Sequence, residues 1–112
     1  MPFQFSRCIF LQLPNPAPEI EFYEEVVGLD VLRREGDAAE FKAGVFRLVI
    51  GPGEQIGPII EFLVPDVEVA REEMLRTGCE VVLWEGREGW CRMRDPSGFV
   101  FNLYEAPDAF FE

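Results

Sequence analysis

The stretch Ile59-Ile60-Glu61-Phe62-Leu63-Val64-Pro65-Asp66-Val67 restarts a pattern that the chain has already run once. Its first six residues are rich in β-formers and end at a proline, which cannot continue a sheet ladder. Asp66 then offers an N-cap, and Val67, Ala70 and Met74, with Leu75, recur at helical spacing until Gly78 supplies a stop. Beyond it, Glu80–Trp84, Gly89–Arg94 and Val100–Tyr104 read as three strands. The last two are joined by Asp95-Pro96-Ser97-Gly98, turn residues in type I order.

The same order stands upstream. Cys8–Leu13 reads as a strand closed by Pro14, and Asn15-Pro16-Ala17-Pro18 is turn chemistry. Ile20, Tyr23 and Val27, with Phe22 and Val26 alongside, predict an amphipathic helix of about ten residues ended by Gly28. Asp30–Arg33, Glu40–Lys42 and Val45–Ile50 then predict three short strands. The distance from Cys8 to Gly28 matches that from Ile59 to Gly78 to within one residue. A repeat of about fifty residues points to duplication of one supersecondary unit. Neither copy buries its sheet well alone, and pairing offers each a partner. The expected fold is α+β: two βαβββ modules whose mixed sheets form a curved groove. As one domain over residues 1–112, it divides into module one (6–51), a Gly/Pro linker (52–58), module two (59–105) and a tail (106–112).

Composition narrows the function classes. At 48% hydrophobic and 28% charged residues, the 112-residue chain has a globular balance rather than a disordered one. No apolar run approaches the ~20 residues that span a bilayer, and the first residues lack the pattern of a secretory signal. Cys8, Cys79 and Cys91 are odd in number and lack metal or redox spacing, which fits reduced, mostly buried thiols and a cytoplasmic location. The formal charge of −11 repels nucleic acid and anionic lipid, so neither is an expected partner, and it favours a cationic ligand. The plainer reading is that acid on the surface serves solubility.

Three segments carry a family resemblance. Phe22-Tyr23-Glu24-Glu25-Val26-Val27-Gly28-Leu29 resembles the FY-x-x-VLGL signature of the glyoxalase/bleomycin-resistance/dioxygenase, or vicinal-oxygen-chelate, superfamily. Val64-Pro65-Asp66-Val67-Glu68 resembles the start of its second helix, and Arg94-Asp95-Pro96-Ser97-Gly98-Phe99-Val100-Phe101-Asn102-Leu103 its RDPDGN-x-IEL ending. The resemblance implies a metal bound by His, Glu or Gln at four inward strand positions in members that do chemistry. Carried onto this chain, those positions are Cys8, Val49, Ile59 and Asn102, with the second and third open to a shift of two residues. The chain has no histidine, and two of the four positions are aliphatic. A divalent metal needs two to four converging N, O or thiolate donors. The expectation is therefore no metal and no cofactor.

Strand alternation assigns the faces. With Cys8 inward, Phe10 and Gln12 follow, while Ile9, Leu11 and Leu13 pack under the helices. Val45, Arg47 and Val49 share one face, as do Ile59, Glu61 and Leu63, and again Val100, Asn102 and Tyr104. Trp84, Trp90 and Arg92 are assigned to the groove, because Cys91 and Met93 suit a core. The candidate ligand-binding set is Cys8, Phe10, Gln12, Arg47, Glu61, Trp84, Trp90, Arg92, Asn102 and Tyr104, an aromatic surface with a few polar points. Each has a plainer reading: the tryptophans as core, Arg47 and Glu61 as paired charges, Cys8 as a small buried apolar side chain.

Likeness to the metal-free bleomycin-resistance branch implies a homodimer that sequesters a small cationic or aromatic ligand, with no catalytic residue named. The alternative is a vicinal-oxygen-chelate enzyme of lyase or dioxygenase type, with relocated metal ligands or a metal-free mechanism in which Glu61 is the general acid/base. A third reading is a fold kept as a regulatory subunit. The apolar tail Ala109-Phe110-Phe111-Glu112 is expected to dock on its own domain or on a partner chain.

Overall fold

The computed structural model of the chain describes residues 3–84, 86 and 89–107. The expected tail docking falls outside them. The chain divides into two compact units: Arg7–Ile59, and Ile60 onward together with the first residues up to Ser6.

The first unit holds β1 (Gln4–Leu13, from Arg7), α1 (Ala17–Glu21), β2 (Asp30–Glu35), β3 (Ala38–Ala43) and β4 (Phe46–Pro52). Its sheet runs β2-β3-β4-β1, antiparallel except for the parallel β4–β1 pair. The second holds β5 (Ile56–Val64, from Ile60), α2 (Val67–Arg76), β6 (Glu80–Trp84), β7 (Trp90–Arg94) and β8 (Val100–Glu105). Its order β6-β7-β8-β5 repeats the first, with β8–β5 parallel. The α+β class and both βαβββ orders are as the periodicity predicts. Between the units, Pro52 ends β4 opposite Leu13 and β5 opens at Ile56.

Each sheet turns one apolar face to its helix. In the first unit Ile20, Ala39, Phe41 and Ile50 are buried, with Leu11, Leu13, Tyr23, Val31 and Leu48 packed around them. In the second, Val64, Val67, Ala70, Cys79, Cys91, Met93 and Leu103 are buried, flanked by Phe3, Phe62, Trp84 and Phe101. Fully burying one such large side chain contributes about 1.5–3 kcal/mol, so these faces orient the sheets. Burial raises the pKa of the Cys91 thiol, with Arg71 opposing the shift, which fits a packing role rather than a reactive one.

The two helices differ. Asp66 caps α2 as expected, its carboxylate accepting from the Val69 N–H at 3.1 Å. At the other end Gly78 takes φ +99°, Cys79 N–H reaches Met74 O at 3.1 Å and Gly78 N–H reaches Leu75 O at 3.2 Å, a Schellman ending. The first helix is not one α-helix of ten residues. After Glu21 the chain widens into a π-helical turn over Phe22–Val26, closed by Val27 N–H to Phe22 O at 3.1 Å. The extra residue in that turn carries Val27 off the core face, leaving it 49% exposed while Ile20 stays buried.

Candidate functional site

In the first unit, the register lines up Phe10, Val49, Glu40 and Arg33 across β1, β4, β3 and β2, on the face away from α1. The neighbouring rung carries Cys8, Arg47 and Lys42. A cavity of about 420 Å³ opens on this face, lined by Cys8, Phe10, Val49, Ala38 and Ala39 and edged by Arg33, Glu35 and Glu40. Its size suits a small organic molecule. Glu40 lies between two arginines, 2.8 Å from Arg47 and 3.5 Å from Arg33. The charges at this mouth are thus paired among themselves, whereas the helices carry Glu19, Glu21, Glu24, Glu25, Glu68, Glu72 and Glu73.

Of the four residues expected here, Cys8 and Phe10 line the cavity. Arg47 pairs with Glu40 outside the lining, and Gln12 donates to the Glu54 carbonyl at 3.0 Å beside Leu11 and Leu13. A larger hollow, about 570 Å³, lies on the helix side among Pro14, Asn15, Glu21, Glu24, Arg34 and Asp37. Its lining is mostly polar, and Arg34 is held there by Glu24, so it lacks the apolar floor that binding a small organic molecule needs.

In the second unit the equivalent rung is Glu61, Asn102, Arg92 and Leu83. Asn102 is the one buried polar residue among those described, 5% exposed, and its Oδ1 accepts from Arg92 Nε at 3.0 Å. The Arg92 guanidinium lies 5.6 Å from the centre of the Trp90 ring, a cation–π distance. Trp90 pairs across the strands with half-exposed Tyr104. Burial lowers the pKa of Arg92, yet an arginine keeps its charge near neutrality. Burial also raises the pKa of the Glu61 carboxyl, against the bond from the Ser6 hydroxyl, which lowers it.

Trp84 is a correction. Plain alternation puts it in the groove, but β6 carries a bulge between Val81 and Leu83, which flips the residues beyond it. Trp84 therefore faces α2, against the core, with the Arg71 guanidinium 5.1 Å from its ring centre. A matching bulge in β2, between Val31 and Arg33, brings Arg33 to the cavity side, where alternation with Val31 would have buried it. Glu40 needed no such knowledge. It alternates with core residues Ala39 and Phe41, and that pattern was a usable signal.

The donor set does not fit a divalent metal. Val49 and Ile59 offer no ligand atom, and the Asn102 oxygen is engaged by Arg92. Among the described residues, no three Cys, Asp or Glu side chains converge as a metal-holding group.

In fold, the chain is similar to several solved structures. A hypothetical protein of Bacillus halodurans matches at 13% identity and TM-score 0.67, over 95% of this chain and 96% of that one. Homoprotocatechuate 2,3-dioxygenase of Brevibacterium fuscum, solved with 3,4-dihydroxyphenylacetate, matches at 21% identity and TM-score 0.68, over 94% of this chain and 37% of that one. The Mn(II)-bound glyoxalase of Novosphingobium aromaticivorans matches at 19% identity and TM-score 0.63, over 93% and 40%. At such identities the likeness shows the fold, and this chain spans well under half of either enzyme chain. No curated protein matches in sequence. Among the described residues, no helix is long and apolar enough to cross a membrane. The family model of the glyoxalase-like domain, however, matches residues 8–104, nearly the whole repeat, and the chain belongs to that family within the vicinal-oxygen-chelate superfamily.

Proposed function

We propose that this glyoxalase-like chain is a metal-independent binding protein that sequesters a small, largely apolar aromatic molecule. The observation that carries this is the cavity floor. Cys8 and Val49, two positions where metal-using members would place ligands, join Phe10, Ala38 and Ala39 in an apolar surface beneath a rim of paired charges. Such a surface gains from desolvating a ring and has little to offer a hydrated cation. The acid excess on the helices acts on approach, as a long-range field, rather than at the cavity floor.

A second reading has one observation in its favour. Partial burial raises the pKa of the Glu61 carboxyl, the direction that suits a metal-free general acid.

The test is metal analysis of protein purified without chelator. Zinc, nickel, manganese and iron(II) are then added while thermal stability is followed, because a ligand of the native state must raise it. The expected outcome is no bound metal and no shift, together with saturable binding of an uncharged aromatic probe that Val49→Trp abolishes by filling the cavity. A stoichiometric, stabilising metal overturns the proposal.

A further inference from the structure

The helical segments of the two units start in register. Pro16 and Asp66 stand at their N-caps. Four residues on, Ile20 and Ala70 are both buried, their N–H groups bonded to the Pro16 and Asp66 carbonyls at 2.9 and 3.0 Å. Counted from those caps, the solvent side of α2 carries Glu68, Glu72 and Arg76, all exposed. The same positions in the first unit hold Pro18, Phe22 and Val26, also exposed, Phe22 by 45% and Val26 by 72%. The second unit thus shows that the fold needs nothing apolar on this side of the helix. The π turn adds Val27 to the apolar residues left in water, and such turns are frequent where a helix has a function beyond packing. Pro18, Phe22 and Val26 wall a hollow of about 290 Å³ together with Glu21 and Glu25. The Phe22 ring stands edge-on to Tyr23, centres 5.3 Å apart, and Tyr23 is packed on the core. Glu24 is engaged by Arg34, but among the described residues the carboxylates of Glu21 and Glu25 have no hydrogen bond or ion pair.

We infer that the Pro18, Phe22 and Val26 face docks an amphipathic helix of a partner protein, with lysines or arginines flanking that helix's apolar seam. Side chains four residues apart form a ridge, and such a ridge is what the groove of a second helix receives. Glu21 and Glu25 run beside the ridge, placed to oppose the partner's basic flank. A second copy of this chain is the poorer occupant, because pairing the face with itself sets Glu21 and Glu25 against their own like charges. The chain's charge of −11 steers a basic partner toward it and repels an acidic one. A face this short buries little area, so the contact is weak and transient. It shares no residue with the lining of the apolar cavity, and it stands independently of the small-molecule binding proposed there.

The probe is a synthetic Leu/Lys peptide of about 14 residues, its leucines spaced to form one helical face and a fluorophore at one end. The full chain is titrated into it while anisotropy is followed, beside a scrambled peptide of the same composition. The expected result is saturable binding of the amphipathic peptide and binding about tenfold weaker or worse of the scrambled one, which keeps the charge and loses the face. Val26→Ser is expected to weaken binding about tenfold, the burial of one such side chain, and Phe22→Ser by at least as much. Val26 is 72% exposed, so its replacement spares the core and keeps the test decisive if the Phe22 variant fails to fold. Glu21→Gln with Glu25→Gln should weaken binding about fivefold. Glu72→Gln with Glu73→Gln removes the same charge from α2 and should leave binding within about twofold at physiological salt. No saturable binding, equal binding of the scrambled peptide, binding undiminished by Val26→Ser, an equal loss from the α2 pair, or self-association of the chain that Val26→Ser abolishes overturns the inference.

Discussion

At one equivalent rung the first unit sets Phe10, Val49, Glu40 and Arg33 across its four strands, and the second sets Glu61, Asn102, Arg92 and Leu83. The order of polarity is reversed. In the first, apolar residues occupy the two parallel strands and the charges sit on the outer two, Arg33 exposed and Glu40 partly buried, paired with each other. In the second, the polar groups sit on the parallel strands and on β7, partly buried, while the outermost strand contributes Leu83. On the opposite, helix-facing side no such reversal occurs. Phe41 and Met93 stand at matching positions, as do Ala39 and Cys91, and all are buried. Duplication has kept the face that folds the protein and let the other diverge, because one face must exclude water and the other need only remain compatible with the backbone.

The largest expected effect probes the shared face. Phe41→Ala should destabilise by about 3–5 kcal/mol and Met93→Ala by about 2–5 kcal/mol, read from urea denaturation. A value near zero for either would break the equivalence of the two cores. The reversed rung gives the next effect. Asn102→Val makes the second unit like the first but removes the acceptor of the Arg92 Nε–H, at a cost of about 1–3 kcal/mol. Adding Arg92→Leu should recover most of that loss, since replacing both partners by apolar groups is close to neutral. If the double variant is no more stable than Asn102→Val, the polar pair is structural and the comparison has been misread.

Glu61 gives a pH-dependent effect. Burial raises its pKa above the ordinary 4.5, so the folded protein binds this proton more tightly than the unfolded chain does. Its ionised form thus lowers stability at neutral pH, and that penalty fades as pH falls through the raised pKa and is gone below 4.5. Glu61→Gln, which keeps an acceptor for Ser6, should be the more stable protein at pH 7. Its advantage should shrink on acidification, as thermal melts across pH will register. A constant advantage would mean that Glu61 does not titrate as described. The smallest effect belongs to the first unit's exposed charges. Arg47→Ala should change stability by less than about 1 kcal/mol, since its bond to Glu40 is open to solvent.

Much of the fold was legible in the residues. Pro14 and Pro65 mark strand ends, and Gly28 and Gly78 stop the two helical segments with φ of +82° and +99°. In the Asp95–Gly98 turn, Asp95 accepts the Gly98 N–H as the type I reading requires, at 2.9 Å. The site was legible in part. Cys8 and Phe10 share the cavity side, and Trp90, Arg92 and Asn102 share the opposite face from Cys91 and Met93, as alternation predicts. Trp84 and Arg33 were misplaced or missed for one reason, the paired bulges in β2 and β6. A bulge has no dedicated residue type in Val31-Leu32-Arg33 or Val81-Val82-Leu83. It is set by how the edge strand twists against its neighbour.

What the residues determined by themselves is the order of elements, their ends and the repeat, because these depend on spacing and backbone preferences within a few positions. They also carried the family resemblance, which implies metal positions at Cys8, Val49, Ile59 and Asn102, with the second and third open to a shift of two residues. Only the tertiary structure decided which of Trp84 and Arg33 faces the helix and that the first helix winds into a π turn. It also decided that Glu40 joins Arg33 to Arg47, and that Asn102 holds Arg92. Each of these depends on register or contact between segments far apart in the chain, and a one-residue shift there reverses the face of every side chain beyond it.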